Sequence, residues 1–183
     1  IGNPVFLIPA RLIESIKGQI NFFSKIPMKE LKKSKFLLAG DGPDRNKLEK
    51  FIIENDLIEN IKILGHQDYK SLKNIYSSVN CLLLPSFSDQ SPLSLIEGLK
   101  MKLPLLVSNR CGNHFETVLS DVNGLTFDPS SEKSVLINYK SFIKKFNEFN
   151  QMGIKSYEIY NDKFKLDKVI NEFIYDFNKY MNT

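Results

Sequence analysis

The chain has 183 residues, a length that suits one domain and allows a substantial core. Its 42% hydrophobic and 25% charged residues are the proportions of an ordinary globular protein, which argues against a disordered or fibrous chain. Lys and Arg exceed Asp and Glu by 25 to 21, and this net charge of +4 is scattered along the chain. Nucleic-acid binders carry a concentrated basic stripe, so no nucleic-acid partner is expected, while weak attraction to an anionic membrane surface stays open.

The first apolar run is residues 5–8, bounded by Pro on both sides. Similar short runs follow at residues 36–39, 61–64, 81–84 and 103–107. Runs of this length between Gly, Pro or Asn read as strands buried on both faces. Helical stripes lie between them, with Leu48, Phe51 and Ile52 in one and Leu72, Ile75, Tyr76 and Val79 in another. Strand and helix therefore alternate, the pattern of a parallel sheet with helices on both faces. Past residue 127 the pattern turns helical. Val135, Tyr139, Phe142, Ile143 and Phe146 mark one long helix, and Leu166, Val169, Ile170, Phe173, Ile174, Phe177 and Tyr180 mark another.

In open parallel sheets ligands bind beyond the carboxyl ends of the strands, so the loops after each run are the places to search. After the first run come Arg11 and Lys17. Two cations near a helix start suit a diphosphate, although this loop alone reads more simply as two solvated side chains. After the second comes Gly40–Asp41–Gly42–Pro43. Its glycines permit positive φ and close approach of a ligand, or simply a tight strand-to-helix turn. It is neither a G-x-G-x-x-G nor an NTPase phosphate loop. After the third come Gly65, His66 and Gln67, where a base can lie on the main chain; His66 also reads as a surface residue.

Residues 85–97 are the richest stretch. A polar loop carrying Asp89 leads to Pro92, a good first helical residue, followed by Leu93, Ser94 and Glu97. The free amides around Leu93 and Ser94 suit an anion, and the two carboxylates bracket it. The plainer alternative makes Ser91 an N-cap and Glu97 a partly exposed charge. After the fifth run come Cys111, Gly112 and His114, and Asn123–Gly124–Leu125 is a turn signal.

Cys81 and Cys111 have no partner at metal-ligand spacing and do not make a disulfide framework, so a reducing, cytoplasmic setting is expected. No apolar stretch has the length of a membrane span, and no signal peptide is visible. The chain opens at Ile1, Gly2, Asn3 and Pro4 without an initiator Met and enters a strand almost at once, which suggests a fragment of a longer protein.

Taken in order, these loops read Arg-Leu…Lys-Gly, Gly-Asp-Gly-Pro, Leu-Gly, Pro-Ser…Asp-x7-Glu, Gly…Glu and Asn-Gly-Leu. This order resembles the nucleotide-binding C-terminal domain of retaining glycosyltransferases of family 4, which have the GT-B architecture, over roughly residues 4 to 129. The resemblance implies a Rossmann-like α/β domain over residues 1–183, a parallel β-sheet flanked by helices, with C-terminal helices over 130–183. It implies a UDP-sugar or GDP-sugar donor. Arg11 and Lys17 would grip its diphosphate, and Gly40, Asp41 and Gly42 would border the nucleotide. The main chain of His66 and Gln67 would meet the base, the helix start at Pro92, Leu93 and Ser94 would meet the phosphates through its free amides, and Glu97 would meet the ribose.

Asp89 matches the first residue of the Glu-x7-Glu signature, which contacts the transferred sugar; Asp in place of Glu shortens its reach by one methylene. Lys102 and Leu103 also depart from the small residue and Gly common before the following Pro.

The implied chemistry is sugar transfer with retention, with Arg11, Lys17 and Asp89 as the catalytic set and no metal or cofactor required. The acceptor, a sugar, lipid-linked glycan or other molecule, would bind an N-terminal domain absent from this sequence, and the isolated chain would be inactive. Cell-envelope polysaccharide or lipopolysaccharide synthesis in a bacterial cytoplasm, with peripheral association to the plasma membrane, is the implied setting. The other readings are a nucleotide-sugar epimerase of the same architecture, for which only His66 and His114 offer acid–base groups, and a non-catalytic nucleotide-binding module.

Overall fold

A computed structural model describes residues 2–181, without the side chains of residues 176 and 178–181. The Tyr180 side chain expected in the last apolar stripe lies outside the described residues, as does Ile1.

Six strands form one parallel sheet: β1 (Val5–Ile8), β2 (Lys35–Ala39), β3 (Ile61–Gly65), β4 (Cys81–Leu84), β5 (Leu105–Ser108) and β6 (Gly124–Phe127). Their spatial order is β3-β2-β1-β4-β5-β6. The chain thus builds outward from β1 to β3 and then returns to pair β4 with β1. Right-handed crossovers send the two halves' helices to opposite faces, so a crevice opens between β1 and β4 at their carboxyl ends.

Between the strands lie α1 (Glu14–Lys17), α2 (Gln19–Ser24), α3 (Met28–Leu31), α4 (Arg45–Glu54), α5 (Tyr69–Ser78), α6 (Leu93–Lys100) and α7 (His114–Thr117). After β6 come α8 (Glu132–Lys144), α9 (Phe149–Ile159) and α10 (Leu166–Met181). Period-two alternation divides the core. Phe6, Ile8, Phe36, Leu83 and Leu106 face Phe22 and Phe23 of α2, Leu48 of α4 and Tyr139 and Phe142 of α8. Leu7, Leu82, Leu84, Leu105 and Val107 face Tyr76 of α5 and Leu95 and Leu99 of α6. Every residue of β4 and β5 is buried, as continuous apolar runs in a two-sided sheet require.

The structure differs from the sequence reading at five places. The fifth strand starts at Leu105 rather than 103, because Pro104 has no N–H for the ladder and contributes only its carbonyl, to the Leu82 amide at 3.0 Å. The turn signal at Asn123 opens a sixth strand. A side chain at Gly124 would come within 2.2 Å of the Leu105 carbonyl oxygen, so glycine is what lets β6 dock. The short helices α1, α2 and α3 carry no long stripe of their own.

Finally, α9 escapes the apolar pattern because its buried face uses Gly153 and Ser156 beside Phe149, Met152 and Ile159. Phe146 falls just beyond α8, in a single turn of 3-10 helix. The apolar stripe of α10, with Leu166, Val169, Ile170, Phe173, Ile174 and Phe177, is exposed. No helix among the described residues is long and apolar enough to cross a membrane.

Candidate functional site

The loops after β1 and β2 are stitched together at the carboxyl edge. The Leu12 amide donates to the Asp41 carbonyl and the Asp44 amide to the Leu12 carbonyl, both at 3.1 Å. A Cβ on Gly40 would sit 2.0 Å from the Ala10 carbonyl oxygen, and one on Gly42 would sit 2.4 Å from that of Leu12. Neither glycine has positive φ. Their small size serves the contact between loops, and the positive φ that glycine permits is not used here. Gln19, itself buried, donates to the Arg11 carbonyl at 3.0 Å and fixes the main chain there.

Above this seam lies a cleft of about 430 Å³, within the range of small-molecule sites. Arg11, Gly40, Asp41, His66, Gln67, Ser94 and Glu97 line it, together with Ala10 and Leu72. Four separate loops and helices therefore bring these sequence-predicted residues to one place. The Asp41 carboxyl is held below its ordinary range, first by the Gly42 amide and then by Arg45, so it stays ionised. At the end of β3, Gly65 adopts φ 72° and turns the chain. The Gln67 side chain donates to the Leu64 carbonyl at 2.8 Å and folds back on its own loop. Asp68 caps α5 by accepting from the Ser71 amide at 2.7 Å.

Helix α6 begins beside the cleft. Pro92 is its N-cap and gives no side-chain cap, so Ser91 does not take that role. The Leu95 amide turns back to the Pro92 carbonyl at 3.1 Å, and among the described residues no side chain accepts from the amides of Leu93 or Ser94. An uncapped helix start presents partial positive charge and donors to an anion. Pro92 is buried and Leu93 exposed; neither lines the cleft, although Ser94 does. One turn along, Glu97 Oε2 accepts from the Tyr76 hydroxyl at 2.8 Å. Neither that bond nor the one from Asn113 Nδ2 to the Pro92 carbonyl, at 3.3 Å, was visible in the sequence, where Tyr76 read as an apolar-stripe member.

Lys17 and Asp89 lie outside the cleft lining and meet each other, Nζ to Oδ2 at 2.5 Å. Lys17 ends α1, and Gly18 follows at φ 63° with room for no side chain, since a Cβ would sit 2.7 Å from the Pro85 carbonyl oxygen. The Phe87 amide donates to the Ile16 carbonyl at 2.8 Å, and the Gly112 amide donates to the Asp89 carbonyl at 2.8 Å. Loops from β1, β4 and β5 thus converge on this pair. Cys111 is buried beside them; burial, then the Asp89 charge, pushes its thiol up to about 12, which leaves it inert. His114 does not line the cleft, and its Nδ1 lies 2.6 Å from the Cys111 carbonyl oxygen. Among the described residues no group of three His, Cys, Asp or Glu side chains gathers as a metal site.

The sequence pattern of the glycosyl transferases group 1 family matches residues 2–158. The chain belongs to that family. An uncharacterized glycosyltransferase of Methanocaldococcus jannaschii is 29% identical over 146 residues, covering 69% of this chain and 41% of the relative. The chain spans 41% or less of the length of the curated relatives it matches. The pneumococcal O-GlcNAc transferase, solved with UDP and GlcNAc, superposes on 100% of this chain and 37% of its own at a TM-score of 0.79 and 20% identity. The C-terminal domain of a group 1 glycosyl transferase from Francisella tularensis matches 90% of this chain and 88% of its own, with a TM-score of 0.77 and 18% identity. The group 1 fold seen here is that of a GT-B C-terminal domain.

Proposed function

We propose that the chain is the donor-binding half of a retaining glycosyltransferase of family 4, which moves a sugar from a UDP or GDP donor to an acceptor. The observation that carries this reading is the meeting of Arg11, Ser94 and Glu97 in one cleft beside the uncapped start of α6. Arg11 and the α6 amides form a pocket for a diphosphate, with Lys17 as a second cation released from Asp89. Glu97 is an acceptor for vicinal ribose hydroxyls. The main chain at Gly65, His66 and Gln67 borders the base, and Asp89 faces the sugar. That the pneumococcal relative binds UDP and GlcNAc supports the donor class.

Transfer breaks the bond between the anomeric carbon and the diphosphate oxygen, which takes the electron pair, and forms a bond from that carbon to the acceptor hydroxyl oxygen, whose proton passes to the departing diphosphate. Fixed donors that meet the growing negative charge lower the barrier. Arg11, Lys17 and the α6 amides are those donors, so no metal enters this scheme. The acceptor belongs to a separate N-terminal domain, and this chain alone transfers no sugar. An epimerase would need a pair of acid–base groups in the cleft; His66 lines it and His114 does not. Cell-envelope glycan synthesis at the cytoplasmic face of the membrane is the proposed setting, by family analogy.

Calorimetric titration of the 183-residue chain with UDP and GDP tests the reading. Binding of one of them, weakened at least about tenfold by Glu97→Ala, is expected for loss of a charged hydrogen-bond acceptor. Absence of heat with both nucleotides would count against it.

A further inference from the structure

Tyr76 lies on α5 and is 3% exposed, its ring packed in the core with Leu82, Leu95 and Leu99. Its hydroxyl reaches out of that core to Glu97 Oε2 at 2.8 Å. Glu97 stands at a junction. On one side is the donor cleft, and on the other a groove of about 340 Å³ between α5 and α6 that also holds Lys73, Lys100 and Tyr160. A carboxylate free to turn has two places to go: toward the cleft, or toward the cations of the groove. A carboxylate with one oxygen already fixed presents the other in a single direction. Burial, and then the neighbouring Glu97 charge, push the Tyr76 phenol well above its ordinary range, so it is protonated and a donor at neutral pH.

We infer that Tyr76 is a positioning residue for the donor's ribose: its hydroxyl holds Glu97 Oε2, so that Oε1 is aimed at the ribose hydroxyls. The inference rests on the donor-site reading above. Tyr76 touches no part of the donor. It acts by tying Oε2 on the groove side, where Tyr76 and Glu97 both line the wall, so that Glu97 is preorganised for a vicinal diol and the cost of ordering that side chain on binding is removed.

The test compares UDP with 2′,3′-dideoxy-UDP, and GDP with its 2′,3′-dideoxy analogue, by titration of the 183-residue chain. Tyr76→Phe keeps the ring in the core and removes only the hydroxyl, so its Tm should lie close to that of the wild type. It should weaken binding of the ribonucleotide about tenfold, as expected for a hydrogen bond to a charged group. The dideoxy analogue should bind as before, and Tyr76→Phe added to Glu97→Ala should cost nothing more. Full ribonucleotide affinity in Tyr76→Phe overturns the inference. An equal loss for both members of a pair also overturns it, since that marks a general structural defect. A wild-type chain that binds neither UDP nor GDP removes the donor-site reading itself, and the role of Tyr76 with it.

Discussion

Lys17 and Asp89 are 72 positions apart in sequence and 2.5 Å apart in space. They meet because β4 returns to pair with β1, which sets the loops that follow these two strands side by side. Their side chains are 19% and 18% exposed, so the pair is only partly screened by water. In the proposed site the pair parts as the donor enters, Lys17 turning to the phosphate and Asp89 to the sugar.

The two partners should respond differently to removal. Lys17→Ala takes a cation from the diphosphate and should weaken UDP binding about tenfold. Asp89→Ala releases Lys17 and should leave UDP affinity equal or higher, while costing about 1–2 kcal/mol of stability, between the surface and buried limits for an ion pair. Titration and urea unfolding of both variants check this. Equal weakening of UDP binding by the two would show that the ion pair, rather than Lys17 alone, builds the site.

Gly40→Ala probes the seam beneath the cleft. The added methyl would stand 2.0 Å from the Ala10 carbonyl oxygen, so one of the two loops must move. A loss of about 1–3 kcal/mol is expected from overpacking, with reduced nucleotide affinity because Arg11 shifts with its loop. Gly2→Ala, where nothing lies within 4 Å, is the control and should leave the melting temperature unchanged.

Acid should weaken the same seam through one group and strengthen it through another. Asp44 accepts the Glu14 amide at 2.8 Å, and Lys47 first, then that amide, holds its carboxyl below the usual value of 3.8. Its folded value is depressed, so its contribution is present above pH 3.8 and is lost as pH falls through the folded value. The Tm difference between wild type and Asp44→Asn should therefore shrink in acid. Glu14 has the opposite sign. Burial raises its carboxyl above 4.5 despite the Asn21 and Ile20 amides that it accepts. Its folded form holds the proton longer, so stability falls as pH rises from 4.5 through the folded value. Glu14→Gln should gain on the wild type across that window. Melting curves of the three proteins from pH 3 to pH 7, a range set by ordinary carboxylate values, decide both signs.

Much of the fold was legible because the buried strands are nearly pure apolar runs. The central strands β1 and β4 and the stripes of α4 and α5 could be read directly. What escaped is what packs through small or polar groups. The helix α9 docks with Gly153 against the Lys102 carbonyl, where a Cβ would come within 2.1 Å, and with Ser156 donating to the Leu103 carbonyl at 2.7 Å. No apolar period announces such a face. In the cleft, Arg11, His66 and Glu97 were singled out by the order of motifs across the strand ends, since each alone reads equally well as a solvated side chain. The Tyr76–Glu97 bond was not, because a tyrosine on an apolar stripe looks like core until its hydroxyl is placed.

Ser156→Ala tests that silent face. It leaves the Leu103 carbonyl and Asn123 Nδ2 short of a partner in a buried setting and should cost about 1–3 kcal/mol. Urea unfolding measures the loss. A change within error would mean that water replaces the serine there.

The central claim is that a nucleoside diphosphate lies between Arg11 and the start of α6. Amide chemical-shift mapping of the chain during a UDP or GDP titration tests this most directly. The account predicts that the largest shifts fall on Leu93 and Ser94 and on Gly65, His66 and Gln67, and that they fade in Glu97→Ala. Shifts gathered away from the carboxyl edge of the sheet, or none at saturating concentrations of either nucleotide, would contradict it.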